Sequence, residues 1–195
     1  MSRDWNILLV EDNPEVARLV EIYLSDLSHR SRTAQDGQEA ILIAGNTPPQ
    51  LVIMDLSLPE LSGLEASRYL KHKFSASYLP ILVLTSDDSM ETRVACGEVG
   101  CDSFLTKSQM AASLAEEVNS LISLGEAENR LIMSGRGTGE EPLPGESERV
   151  CEIRADLADK VISRGYEELV ENHYNRIKEL NPGHSALERL RAALK

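Results

Sequence analysis

Three short runs built wholly of apolar residues, at 7–10, 51–54 and 81–84, recur along the first part of the chain, with helix-patterned stretches between them. A strand that is apolar throughout has to be covered on both faces. A succession of such strands, each followed by a helix, builds a parallel sheet from βα units. The pattern predicts strands at residues 5–10, about 31–35, 51–55, 81–85 and, more weakly, 103–106. Helix starts are marked between them. Asn13-Pro14-Glu15 offers an N-cap, a proline at the first helical position and an acid in the first turn. Ser62-Gly63-Leu64-Glu65 and Asp88-Ser89-Met90-Glu91 have the form of capping boxes. The last helix of this unit is expected over residues 108–124, which makes five strands and five helices.

Composition narrows the function classes. None of the apolar runs approaches the roughly 20 residues that a membrane-spanning helix needs, and Asp4 and Glu11 bracket the first run too closely for a secretory signal. The expectations are a cytoplasmic location and no membrane partner. Cys96, Cys101 and Cys151 show no metal-ligand spacing and are read as reduced structural residues. The chain has 20 Lys and Arg against 32 Asp and Glu, a net charge of −12, which argues against bulk electrostatic attraction to nucleic acid or to an anionic membrane.

Residues 125–149 are expected to be a linker, flexible from about 134, where the sequence SGRGTGEEPLPGESER carries four glycines and two prolines. Beyond it, Ile153, Leu157 and Val161, then Leu169, Val170, His173, Ile177 and Leu180, recur at helical spacing on either side of Gly165. This predicts a helical hairpin over 150–184, followed by a short helix that opens at Ser185. Residues 165–184 resemble the second helix and closing turn of a tetratricopeptide repeat. Their internal register is one residue long, however, and Leu169 stands where a small residue is expected. The simpler reading is an amphipathic hairpin that docks on the first domain or on a second chain.

Side chains at the carboxyl ends of parallel strands converge in the crevice where open α/β sheets bind ligands. Glu11 and Asp12 follow the first strand and Asp55 ends the third. Carboxylates gathered in this way hold a proton or a cation, and a hard divalent ion such as Mg2+ suits one or two of them together with a phosphate oxygen. Thr85 and Lys107 come to the same sheet edge and offer a hydroxyl donor and an ammonium charge to a phosphoryl group.

With these residues in place, residues 5–124 resemble the receiver domain of bacterial two-component response regulators. The acidic pair Glu11-Asp12, Asp55 within DLSLPELSG, Thr85, and the aromatic-x-x-Lys of Phe104 and Lys107 occur in the family's order and at its spacing. The resemblance implies a flavodoxin-like, doubly wound five-stranded parallel sheet of order 2-1-3-4-5, with the C-terminal helices as an addition. It implies that Asp55 accepts a phosphoryl group from a histidine kinase or a phosphotransfer protein. Mg2+ would be held by Asp12 and Asp55, the Ser57 carbonyl and, through water, Glu11. Lys107 and Thr85 would assist the transfer, and Thr85 and Phe104 would form the switch. Such a chain is not an enzyme with a separate substrate; it promotes its own phosphorylation and dephosphorylation.

Departures from the family pattern bear on behaviour. Ser108 replaces the usual proline after Lys107, so the expectation there is a trans peptide and a looser loop. Ser86 adds a hydroxyl beside the phosphoryl position, and Ser57 and Asp87 occupy places that tune access of the hydrolytic water. For the output, the leading reading is an adapter that switches a protein partner, or pairs two chains on phosphorylation. The alternative is a transcription regulator with an atypical DNA-binding tail. Residues 150–195 carry 8 basic and 8 acidic residues and show no basic recognition helix, which weighs against DNA. An output enzyme finds no phosphate loop or nucleophile in the tail, and phosphotransfer through His173 would need that residue exposed.

Overall fold

The computed structural model describes residues 5–135 and 145–194. Five strands, β1 (Asn6–Val10), β2 (Arg30–Ala34), β3 (Leu51–Met54), β4 (Ile81–Thr85) and β5 (Ser103–Thr106), form one sheet in the order β2-β1-β3-β4-β5. Every pairing is parallel. β3, β4 and β5 are buried along their whole length, whereas β2 at the sheet's edge alternates exposed and covered residues. That contrast is why the aliphatic runs mark the inner strands while β2, at the edge, mixes polar with apolar residues.

Helices cover both faces. α1 (Pro14–Asp26) and α5 (Met110–Gly135) share a buried cluster with Ile7, Leu9, Ile53, Leu84 and Leu105. α2 (Gly37–Asn46), α3 (Gly63–Lys73) and α4 (Met90–Val99) pack on the opposite face, over Leu8, Val10, Met54, Val83 and Phe104. Asn13 caps α1 by accepting from the Glu15 and Val16 amides, and Ser62 and Glu65 complete a capping box on α3. At α4 the cap is Ser89, which accepts from the Thr92 amide, so the box expected there with Glu91 is replaced by a Ser89–Thr92 pair.

The region expected to be a linker is helical at both ends. α5 continues to Gly135 and α6 (Glu146–Ser163) begins ahead of residue 150. Ala127 and Glu128 are buried, and Arg130 forms an ion pair with Glu146 at 2.8 Å; these contacts hold a polar stretch in a helix that its own sequence leaves unmarked. The expected flexible part falls mainly on residues 136–144, outside the described residues. A 3-10 turn (Glu167–Leu169), α7 (Val170–Leu180) and α8 (Ala186–Ala193) follow. The hairpin turns at Gly165, whose φ of +77° suits a residue without a side chain.

The hairpin docks on the sheet domain. Cys151, Ala155, Ala158, Val161, Tyr166, Leu169 and Ile177 join the buried cluster that contains Phe104 and Cys96. Asn172 donates to the Gly97 carbonyl at 2.9 Å, and the His173 Nε2 lies 2.8 Å from the Asp102 carbonyl oxygen. All three cysteines are buried free thiols. Among the described residues no helix is long and apolar enough to cross a membrane.

Candidate functional site

β1 and β3 are neighbours in register, with Val10 opposite Met54. The residues that follow them, Glu11-Asp12 and Asp55, therefore emerge together at the carboxyl edge of the sheet. One carboxylate oxygen from each of Glu11, Asp12 and Asp55 lies within 4.8 Å of the others. Glu11 and Asp55 are buried while Asp12 is exposed, so the cluster is roofed on one side and open to solvent on the other. An all-oxygen donor set of this kind fits a hard divalent cation that keeps part of its water shell.

Lys107 reaches in from the end of β5. Its Nζ lies 2.7 Å from Asp55 Oδ2 and 2.7 Å from Glu11 Oε2. Burial pushes the Glu11 carboxyl up from its ordinary range and the Asp55 charge adds to that push, against the pull of the Lys107 hydrogen bond. For Lys107 burial acts to lower the pKa, but the hydrogen bonds to Asp55 and Glu11 outweigh it and hold the ammonium above its usual value. One lysine thus faces three acids. The remaining negative charge is what a cation would neutralise.

The backbone supports the same point. Ser57 N–H donates to Asp55 Oδ1 at 3.2 Å, and Asn13 N–H to Glu11 Oε1 at 3.1 Å. Gly63, the last residue of the Asp55 motif, packs where a Cβ would sit 1.9 Å from the Asp55 carbonyl oxygen. No other residue fits that close approach. Thr85 is fully buried, and its hydroxyl accepts from the Asp87 N–H at 3.3 Å. Asp87 in turn accepts from the Thr92 hydroxyl and the Ser89 amide, contacts that hold its carboxyl below the ordinary range. The Lys107–Ser108 peptide is trans, there being no cis bond among the described residues. Its loop is pinned by Thr106 N–H donating to Gln109 Oε1 at 3.0 Å and by a 2.8 Å contact between the Thr106 and Ser108 hydroxyls.

Glu11, Asp12, Asp55 and Lys107 are therefore brought together, with Ser57 adjacent and Thr85 turned toward the β4–α4 loop. Phe104 is wholly buried, with Tyr166 of the tail against it edge to face, ring centroids 4.9 Å apart and planes at 61°. His173 is also wholly buried, which leaves it out of reach of a phosphotransfer partner in this arrangement. Sequence reasoning missed Tyr166, Gln109 and Gly97. Tyr166 directly follows the turn glycine, but nothing local pairs it with a ring 62 residues earlier.

Comparison with known proteins places this geometry. Residues 7–119 match the family model described as the response regulator receiver domain. The response regulator MprA of a Mycobacterium species (strain KMS) is 36% identical over 116 residues, 60% of this chain and 50% of the relative. The KDP operon transcriptional regulatory protein KdpE of Escherichia coli K12 is 29% identical over 164 residues, 84% of this chain and 66% of the relative. The chain spans about half the length of the MprA proteins it matches. Among solved structures, a CheY-like receiver domain protein from Methanospirillum hungatei aligns with a TM-score of 0.61 at 20% identity, over 65% of this chain and 99% of that one. The receiver domain of a LuxO repressor protein from Vibrio parahaemolyticus gives 0.61 at 26%, over 66% and 98%. The parallel sheet of order 2-1-3-4-5, with its acids and lysine at one edge, belongs to a known lineage: this chain is a member of the response regulator receiver family, carrying a C-terminal helical extension.

Proposed function

We propose that the chain is a phosphoacceptor of two-component signalling. It takes a phosphoryl group on Asp55 from a histidine kinase or a phosphotransfer protein, and it conveys the change to a protein partner through the β4–β5 side of the sheet and the helical tail. The observation that carries this reading is the placement of Lys107 Nζ at 2.7 Å from Asp55 Oδ2, in a cluster whose three carboxylates outnumber it.

In the transfer, a carboxylate oxygen of Asp55 bonds to phosphorus as the P–N bond of the donor phosphohistidine breaks. The electron pair stays on the imidazole nitrogen, which takes a proton from solvent. The transition state is loose and its charge is spread over the phosphoryl oxygens, so the protein's work is positioning and neutralisation. Lys107 supplies a fixed ammonium, and the Thr85 hydroxyl is the nearby donor that can turn to the new group. Asp12 and Asp55 would hold Mg2+, with the Ser57 carbonyl and Glu11 completing its surroundings. When bound, that ion neutralises charge on the phosphoryl oxygens.

The names of several relatives favour a second reading, transcription regulation with DNA as the final target, and they do not support excluding DNA on net charge alone. In this chain Arg154 and Arg176, two of the tail's cations, are committed to Glu128. Titration of the full chain against duplex DNA at two salt concentrations separates the readings: strongly salt-dependent binding supports the second.

The test of the main reading is incubation with phosphoramidate and Mg2+, followed by intact mass and peptide mapping. A phosphoryl adduct on Asp55, lost in Asp55→Asn and without Mg2+, is expected. An unlabelled chain, alongside another receiver that labels, contradicts it.

A further inference from the structure

β5 closes one edge of the sheet, and its last residue meets the problem of every edge strand. The N–H of Lys107 pairs inward, with the Thr85 carbonyl oxygen at 2.9 Å. Neighbouring residues of a strand direct their backbone groups to opposite sides, so the N–H and C=O of Thr106 point away from β4, where an edge offers unpaired groups. Thr106 is buried, and a buried backbone group needs a partner. Gln109 takes both groups. Its own N–H donates to the Thr106 carbonyl oxygen at 2.9 Å, and its Oε1 accepts the Thr106 N–H at 3.0 Å. The Tyr166 hydroxyl donates to the same Oε1 at 3.3 Å, so the amide oxygen, not the nitrogen, is the atom turned to the loop.

Reaching back three residues to an amide is the returning half of a capping box, an ordinary way to start a helix. Here the residue next to that amide is Lys107. A lysine ammonium is a point charge on a flexible four-carbon stem, so it is aimed mainly from its root. This one has to lie 2.7 Å from both Asp55 Oδ2 and Glu11 Oε2, carboxylates that stand after two different strands. On the inner side the root is tied to β4 through Thr85. On the outer side it is tied to Gln109 through Thr106. Ser108 closes the turn between them, its hydroxyl 2.8 Å from that of Thr106.

We propose that Gln109 is a positioning residue for phosphoryl transfer. By clamping the outer edge of Thr106 it fixes the root of Lys107, so that the ammonium passes from the Asp55 carboxylate to the phosphoryl oxygens without leaving the site. The inference rests on the phosphoacceptor reading. Gln109 acts through Lys107, whereas Glu11, Asp12 and Asp55 are placed by β1 and β3. Loosening the clamp therefore leaves the oxygen donors for a cation where they are and moves only the lysine. The two effects separate: transfer slows while Mg2+ binds as before.

Two variants of the full chain test this: Gln109→Met, which keeps the length of the side chain and loses the acceptor, and Gln109→Glu, which keeps an acceptor oxygen at the same reach. Phosphorylation of Asp55 by phosphoramidate at saturating Mg2+ should slow by roughly 10- to 100-fold in Gln109→Met, the scale of a misplaced reacting group, and largely recover in Gln109→Glu. Mg2+ affinity, read from the NMR shifts of the Asp12 and Asp55 amides, should be undiminished in both. In a Lys107→Ala background, Gln109→Met should slow the reaction no further, because the two residues act as one unit. An unchanged rate in Gln109→Met, a rate and an Mg2+ affinity that fall together, or a full second loss in the Lys107→Ala background overturns the inference and leaves the phosphoacceptor reading intact. A wild-type chain that takes no phosphoryl group on Asp55 overturns both.

Discussion

Two clusters of charge sit at opposite ends of the same sheet, and they are built on different principles. At the carboxyl edge Lys107 pairs with Glu11 and Asp55, the third acid Asp12 lies beside them, and Asp12 opens to solvent. At the other end Glu128 and Asp102 meet Arg154, Arg176 and Lys71, and Asp102 also accepts from the Ile81 amide and the Tyr78 hydroxyl. In the second cluster every acid is met by at least one cation, and cations and hydrogen bonds hold Asp102 and Glu128 below the ordinary carboxylate range despite burial. The difference teaches how to read charge in a fold. A neutralised, hydrogen-bonded network is structure, while a cluster with one sign in excess still demands a ligand.

The largest effect should come from unbalancing the structural cluster. Glu128→Ala leaves Arg154, 4% exposed, without its carboxylate. Removing one partner of a buried pair costs about 3–5 kcal/mol, so the urea midpoint of the full chain should fall steeply; a midpoint within error of wild type would erase the distinction between the two ends.

Acid should act on the same end next. Burial, with the nearby Arg154 charge adding to it, pushes His173 down to about 4. The folded chain keeps this imidazole neutral while the unfolded chain protonates near 6.5, so its contribution is whole above pH 6.5 and is lost as the pH falls through about 4. The shift corresponds to about 3 kcal/mol. Denaturant melts between pH 7 and 4.5 should show this slope, and His173→Gln should flatten it.

Smaller changes sharpen the account of the seam between the tail and the sheet domain. Gly97→Ala places a methyl group against the Glu168 backbone and should cost about 1–3 kcal/mol, read as faster hydrogen exchange at residues 164–170 with the sheet unaffected. Ser62→Ala removes the α3 capping box for about 1 kcal/mol. That substitution lies away from both charge clusters, so a loss as large as that of Glu128→Ala would show that the seam has no special weight.

The sheet was legible because strands covered on both faces must be apolar, and β1, β3 and β4 are written as such. The acidic site was legible because its members each end or follow a strand, so position along the chain translates into position at one edge. Gly63 could be placed by its motif, and its reason, the contact with the Asp55 backbone, needed coordinates. The length of α5 was not legible. Glu126-Ala127-Glu128-Asn129-Arg130 reads as polar surface, and its burial depends on Arg154, Arg176, Tyr78 and Glu146, residues 16 to 51 positions away. The tail's hairpin was visible in its periodicity, but its seat on β5 depends on the fit of Tyr166 to Phe104 and of Glu168 to Gly97, for which one-dimensional patterns carry no signal.

The contrast between the two clusters is tested most directly by titrating Mn2+, a paramagnetic stand-in for Mg2+, into the isotopically labelled full chain and following amide signals by NMR. The account predicts broadening confined to the neighbourhood of Glu11, Asp12 and Asp55, with the signals of Glu128, Arg154 and His173 unchanged. Broadening around Glu128, or none at the carboxyl edge, would contradict it.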